Sequence, residues 1–123
     1  MIPVSPATRI FLAAGATDLR KSFDGLSDLV QNRFAQDPLS GHLFVFANRH
    51  RTRLKLLYWD GSGLWCCAKR LPRGCFSWPK TTAAETGALR IVAAELTLLL
   101  SGIDLDKTRA RQWWRQAGSE EKS

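Results

Sequence analysis

Arg49, Arg51, Arg53 and Lys55 stand at every second position of the chain, with Leu54, Leu56 and Tyr58 filling the same rhythm from the other side. A period of two is the pattern of a β-strand, whose side chains alternate between faces. One face of that strand is apolar and the other is cationic. Lys69, Arg70 and Arg73 follow close behind, and between residues 49 and 73 the only acid is Asp60. Guanidinium and ammonium groups neutralise phosphates, and aromatic rings stack on unpaired bases. Arg49, Arg51, Arg53, Lys55, Lys69, Arg70 and Arg73 are therefore the candidate nucleic-acid-binding residues. A second group lies in the tail, where Trp113 and Trp114 are flanked by Arg111 and Arg115. These four residues suit either a DNA contact or an anchor in a partner's groove.

Other chemistries find less support. Asp18, Asp24 and Asp28 share one predicted helix, with Asp24 and Asp28 neighbours at i, i+4. A two-metal site needs carboxylates converging on a cleft, and interspersed bases make this a surface helix instead. The three cysteines are Cys66, Cys67 and Cys75. An odd count with a vicinal pair suits neither a disulfide framework nor the spacing of a zinc site, so reduced, buried thiols are expected. Gly61-Ser62-Gly63 sits in a hairpin rather than between a strand and a helix, so it is not a phosphate loop. No local signature of a Ser/His/Asp or Cys/His triad is present. The expectation is a protein that is not an enzyme and uses no metal or cofactor.

A chain of 123 residues, 45% of them hydrophobic, argues for one globular domain rather than a disordered segment. Its formal net charge is +7. That charge is concentrated in residues 49–73 and in the tail, and a localised positive field favours a polyanionic partner. No apolar run approaches the roughly 18 residues of a membrane span. The N-terminal stretch MIPVSPATRIFLAAG has no basic flank typical of a signal peptide. The expected location is the cytoplasm.

These residues need a scaffold. RIFLAAG (9–15) reads as a strand. Residues 18–35 change to helical period, with Leu19, Phe23, Leu26, Leu29, Val30 and Phe34 on one stripe and Asp18 as its N-cap. HLFVF (42–46) is apolar on both faces and reads as an interior strand. Residues 52–59 and 64–71 form the next two strands, joined by the turn Asp60-Gly61-Ser62-Gly63. CFSW (75–78) reads as a fourth short strand of this meander, and residues 88–91 as an edge strand. Residues 93–101 read as a helix with Gly102 at its C-cap and a weakly capped start. The expected fold is α+β, with an antiparallel meander sheet of four to six strands packed by two main helices. Residues 1–105 form the domain, and residues 106–123 form a basic, Trp-containing tail, partly disordered.

If both helices cover one face, Leu54, Leu56 and Tyr58 point to the core. The bases then point out, followed by Leu57 and Trp59. Trp59, Trp65 and Trp78 are expected to pack in the core, as large aromatics usually do. A turn that pairs Trp59 with Leu64 sets Arg70 directly opposite Arg53. Like charges so placed destabilise a sheet, and an anion between them would relieve the repulsion.

Four stretches, taken in order, resemble a known family: TDLRKSFDGL (17–26), SGHLFVFANRHRTRLKLLYWDGSGLW (40–65), KRLPRGCFSWP (69–79) and LLLSGID (98–104). They are similar to the TnpB accessory protein of IS-66-type bacterial insertion sequences. That protein is the product of the element's second open reading frame, and it is unrelated to the RNA-guided nuclease sharing the label. The resemblance implies a role in DNA transposition beside a larger transposase, and it brings no catalytic residue with it. Among the residues that match are Asp18, Arg20 and Lys21, then Arg53, Lys55, Trp59, Asp60 and Gly61, then Lys69, Arg70, Gly74 and Trp78. Pro72 departs from the family pattern and should stiffen its turn. Val92-Ala93 stands where a Ser or Thr cap is common, which should let the last helix fray. Two functions fit: a DNA-binding accessory factor of transposition, or an adaptor that bridges or regulates the transposase with little DNA contact.

Overall fold

The computed structural model describes residues 7–79 and 87–102. Five strands and two helices follow one another as β1 (Ile10–Ala13), α1 (Phe23–Asn32), β2 (Leu43–Ala47), β3 (Arg53–Trp59), β4 (Leu64–Arg70), β5 (Ala88–Ile91) and α2 (Ala93–Ser101). The strands form one sheet in the order β4-β3-β2-β1-β5. The hairpins β2–β3 and β3–β4 give the antiparallel meander that short turns favour. Strands β1 and β2, however, run parallel, because α1 carries the chain back between them. The fold is α+β with a mixed sheet rather than a purely antiparallel one.

The helices lie on opposite faces. Leu26 and Val30 of α1 pack with Phe11, Phe44, Phe46 and Leu57 in one cluster. Leu96 and Leu99 of α2 pack with Leu12, Val45, Leu54 and Leu56 in another. This overturns the expectation of a sheet covered on one side. It also explains why β2 is apolar at all five positions: both of its faces are buried. On the α1 side two phenylalanine pairs stack, Phe11 on Phe44 at 5.5 Å and Phe34 on Phe46 at 5.6 Å between centroids. Each such pair adds about 0.5–1.5 kcal/mol beyond its area burial. Leu57, expected to face solvent beside the bases, is fully buried under α1.

Three local expectations change for identifiable reasons. Asp18 does not cap the first helix, which begins later, at Phe23. Its carboxylate instead accepts from the backbone N–H of Arg20 and from the Arg20 guanidinium at 2.8 Å, closing a turn ahead of the helix. Residues 75–78 form no strand: Phe76 is buried among the α2-side core residues, and Trp78 donates from Nε1 to the Ala13 carbonyl at 2.9 Å. The start of α2 is held despite its missing Ser or Thr. The Glu95 carboxylate accepts from the Val92 N–H at 2.9 Å, which replaces the absent cap.

Candidate nucleic-acid interface

The β3–β4 register runs from Trp59 opposite Leu64 to Arg53 opposite Arg70, with no bulge between. The turn at its closed end is built by one carboxylate. Asp60 Oδ1 accepts from the N–H groups of Ser62 and Gly63, both at 2.8 Å, while Oδ2 accepts from Trp65 Nε1 at 2.7 Å. These hydrogen bonds hold the Asp60 carboxyl far below the usual carboxylate range. Gly61 supplies the left-handed φ of +99° that the turn requires. Because the turn inserts no extra residue, the two arginines at the open end are locked face to face.

That open end is where β1 and β2 finish and where α1 begins. Arg53 and Arg70 are both exposed. Arg49 and Arg73, in the flanking turns, are exposed as well. Among the described residues the one ion pair is Arg20 with Asp18 at 2.8 Å, so none of these four arginines meets a carboxylate. Lys21 joins them from a distant part of the chain. Its carbonyl accepts from Lys55 Nζ at 2.8 Å, which fixes the entry to α1 against β3. The first helical turn therefore faces the same end. Ser22, at the N-cap position, makes no side-chain cap bond, and unsatisfied N–H groups there add to the positive field.

Three of the seven candidate bases do other work. Arg51 turns inward with φ +58°. Asn48 makes that turn, its Oδ1 accepting from the N–H groups of Thr52 and Arg53. The Arg51 guanidinium lies over the Trp78 ring, 4.8 Å from its centroid, and burial lowers its pKa. Its Nη1 is buried with no hydrogen-bond partner among the described residues. Lys55 is the tether to α1. Lys69 projects from the other face, where its ammonium reaches the Leu100 carbonyl at 2.8 Å and caps the last turn of α2. The basic stripe is thus not one face. Arg49, Arg53, Arg70 and Arg73 remain as exposed cations at one end of the sheet, with no ion pair among the described residues.

The remaining candidates separate cleanly. Arg111, Trp113, Trp114 and Arg115 lie outside the described residues. Asp24 and Asp28 are exposed on α1. Trp78 is half-buried beneath Arg51, and Trp59 is half-buried at the turn. Trp65 departs from the core reading: it is 54% exposed, with its indole N–H spent on Asp60. Lys21 is not among the seven candidate bases because it belongs to a near-neutral segment. Its Arg-Lys dipeptide just before a helix was the available signal.

The model of the IS66 Orf2 like protein family matches residues 8–110, which takes in every strand and both helices. The chain belongs to the IS66 Orf2-like family. It is 44% identical over 104 residues to the uncharacterized protein y4hO of Sinorhizobium fredii (strain NBRC 101917 / NGR234), covering 85% of this chain and 88% of that one. It is 35% identical over 111 residues to the uncharacterized protein y4jC of the same strain, covering 90% and 92% of the two chains. No solved structure matches. Family membership makes this an insertion-sequence-associated protein, part of a mobile genetic element. No helix among the described residues is long and apolar enough to cross a membrane.

Proposed function

We propose that this protein is a non-catalytic accessory factor of transposition that binds DNA through the open end of the β3–β4 hairpin, in the bacterial cytoplasm and beside the transposase of the same element. The observation that carries this reading is the cross-strand pair Arg53–Arg70. Both side chains are exposed and directly opposed, with no acid to relieve them among the described residues. Such a pair costs the sheet a few tenths of a kcal/mol to about 1 kcal/mol. Many of the motif residues around it hold the fold together: Asp18 and Asp60 close turns, Lys55 and Lys69 tether helices, and Trp78 seals the end of β1. Among the described residues the Arg53 and Arg70 side chains make no ion pair, and like charges so opposed disfavour the sheet, which supports a role outside the fold. A phosphate between them removes the repulsion and accepts charge-assisted hydrogen bonds from both.

The role is binding rather than cleavage. Arginine stays protonated at every physiological pH, so these groups clamp phosphates but do not take up a proton from an attacking water. Arg49 and Arg73 in the flanking turns extend the contact to neighbouring phosphates. The test is fluorescence anisotropy of the pure protein with a duplex from the element's terminal repeat and with a scrambled duplex, across a salt series. Binding that weakens steeply with salt establishes phosphate contact. A difference between the duplexes shows that base sequence is read. Absence of binding at low salt refutes the DNA reading.

A further inference from the structure

The second face of the same hairpin carries a groove of about 680 Å³, open to solvent. Its floor is Leu56, Tyr58, Trp65 and Cys67, and its wall is Leu96 and Leu100 of α2. It exists because α2 crosses the sheet without covering β4. The sequence of α2, AAELTLLLS, is apolar well beyond the stripe that Leu96 and Leu99 bury. Leu98 is exposed and Leu100 only half-buried. A helix apolar on most sides calls for cover on more than one of them. The exposed Trp65 stands at the far end of the groove with its own N–H already satisfied, so its ring offers only an apolar surface.

We propose that the chain's own C-terminal segment, residues 103–117, fills this groove and seats Trp113 and Trp114 against Trp65 and Cys67. The chain leaves α2 in the right place. Gly102 ends the helix with φ +73°, and a Cβ there would meet Leu71 Cδ1 at 2.6 Å. The exit therefore lies against the residue that follows β4, at one mouth of the groove. From that point Ala110, Trp113, Trp114 and Ala117 recur at i, i+3, i+4 and i+7, the spacing of one helical face. A helix rising about 1.5 Å per residue brings position 113 roughly 15 Å from the exit. Strand residues at about 3.3 Å each put Cys67 to Trp65 about 13–20 Å back from Leu71. The two lengths match for a segment returning antiparallel to α2.

Cys67 reports on the groove from inside. In the full chain carrying Cys66→Ala and Cys75→Ala, it is the only thiol. Its reaction rate with a maleimide is measured with and without Trp113→Ala and Trp114→Ala, at two protein concentrations. The expected result is a rate at least about tenfold higher without the tryptophans, independent of concentration, with unchanged far-UV circular dichroism. Equal rates in the two chains overturn the proposal. Protection that grows with protein concentration also overturns it, by naming a second copy as the occupant. An independent check places a thiol at position 117 by Ala117→Cys. A short bis-maleimide should then link it to Cys67 within one chain, and failure to do so counts against the docked tail. No nucleic acid enters these assays, so their outcome is separate from that of the DNA-binding reading.

Discussion

The two ends of the β3–β4 hairpin are built on opposite electrostatic plans. At the closed end one carboxylate, Asp60, accepts from two backbone N–H groups, a hydroxyl and an indole. At the open end two guanidinium groups face each other, and no acid answers them among the described residues. The first end satisfies its own polar groups and serves the fold. The second leaves charge unanswered and is available to something else. Between them lies Leu57, on the same face as Arg53 and four residues along the strand, yet fully buried beneath α1. Position along a strand, as much as the face it points to, decides what a side chain does here.

The largest effect that breaks this contrast is expected in the middle. Leu57→Ala should destabilise the protein by about 2–5 kcal/mol, the usual cost of a cavity in a packed core, measured by urea unfolding. Near-neutral stability would mean that α1 does not cover this part of the sheet. Next comes the open end. Arg53→Gln with Arg70→Gln should weaken DNA binding by about 100-fold or more, since charge-assisted contacts are each worth about 1.5–3 kcal/mol and two are removed. The slope of log K against log salt should fall by about 1, the share of the one phosphate held between them. The same double variant should be as stable as the parent or more so, by up to about 1 kcal/mol. Loss of stability together with binding would recast the pair as structural.

Arg51→Gln sharpens the distinction between an arginine of the fold and an arginine of the surface. It should cost about 0.5–1 kcal/mol through the lost stacking on Trp78 and leave the salt slope of DNA binding unchanged. A flattened slope would return Arg51 to the interface. The smallest effect appears only in acid. Hydrogen bonds lower the carboxyls of Asp60 and Asp18, the latter from 3.8 to about 2, with the Arg20 side chain as its first cause. A depressed folded pKa contributes stability that is fully present above the unfolded value and is lost as pH falls through the folded one. The melting temperature should therefore decline as pH drops from about 4 towards 2, and Asp18→Asn should flatten that decline. An unchanged profile in the variant would show that the Asp18–Arg20 turn contributes nothing to folding.

Much of the scaffold was legible from local pattern. Strands β2, β3, β4 and β5, the helix at 93–101 and the Trp59–Leu64 register follow from periodicity and turn chemistry, which act between neighbours in sequence. The opposition of Arg53 and Arg70 followed in turn, because a four-residue turn with no bulge fixes every pair beyond it. Helix α1 was visible but overextended at its start, since Asp18 serves a turn as well as it serves a cap. The candidate site was legible as a list of bases and not as a surface. Period two assigns Arg51, Arg53 and Lys55 to one face, and only the inward turn at Asn48 takes Arg51 out of it.

By itself, then, the sequence determined where most strands and the second helix lie and the register of the β3–β4 hairpin, because those are short-range consequences of alternation and turns, whereas the parallel pairing of β1 with β2 was not among them. Tertiary structure alone decided which face each helix covers. That choice depends on how α1 returns the chain to a parallel strand and how α2 leaves β5, and neither has a signature in local composition. It buried Leu57, bound Lys55 and Lys69 to helix ends, exposed Trp65, and left four arginines at one end of the sheet with no ion pair among the described residues. A charge counts towards binding only after the fold has finished using the others, and that remainder is fixed by three-dimensional packing.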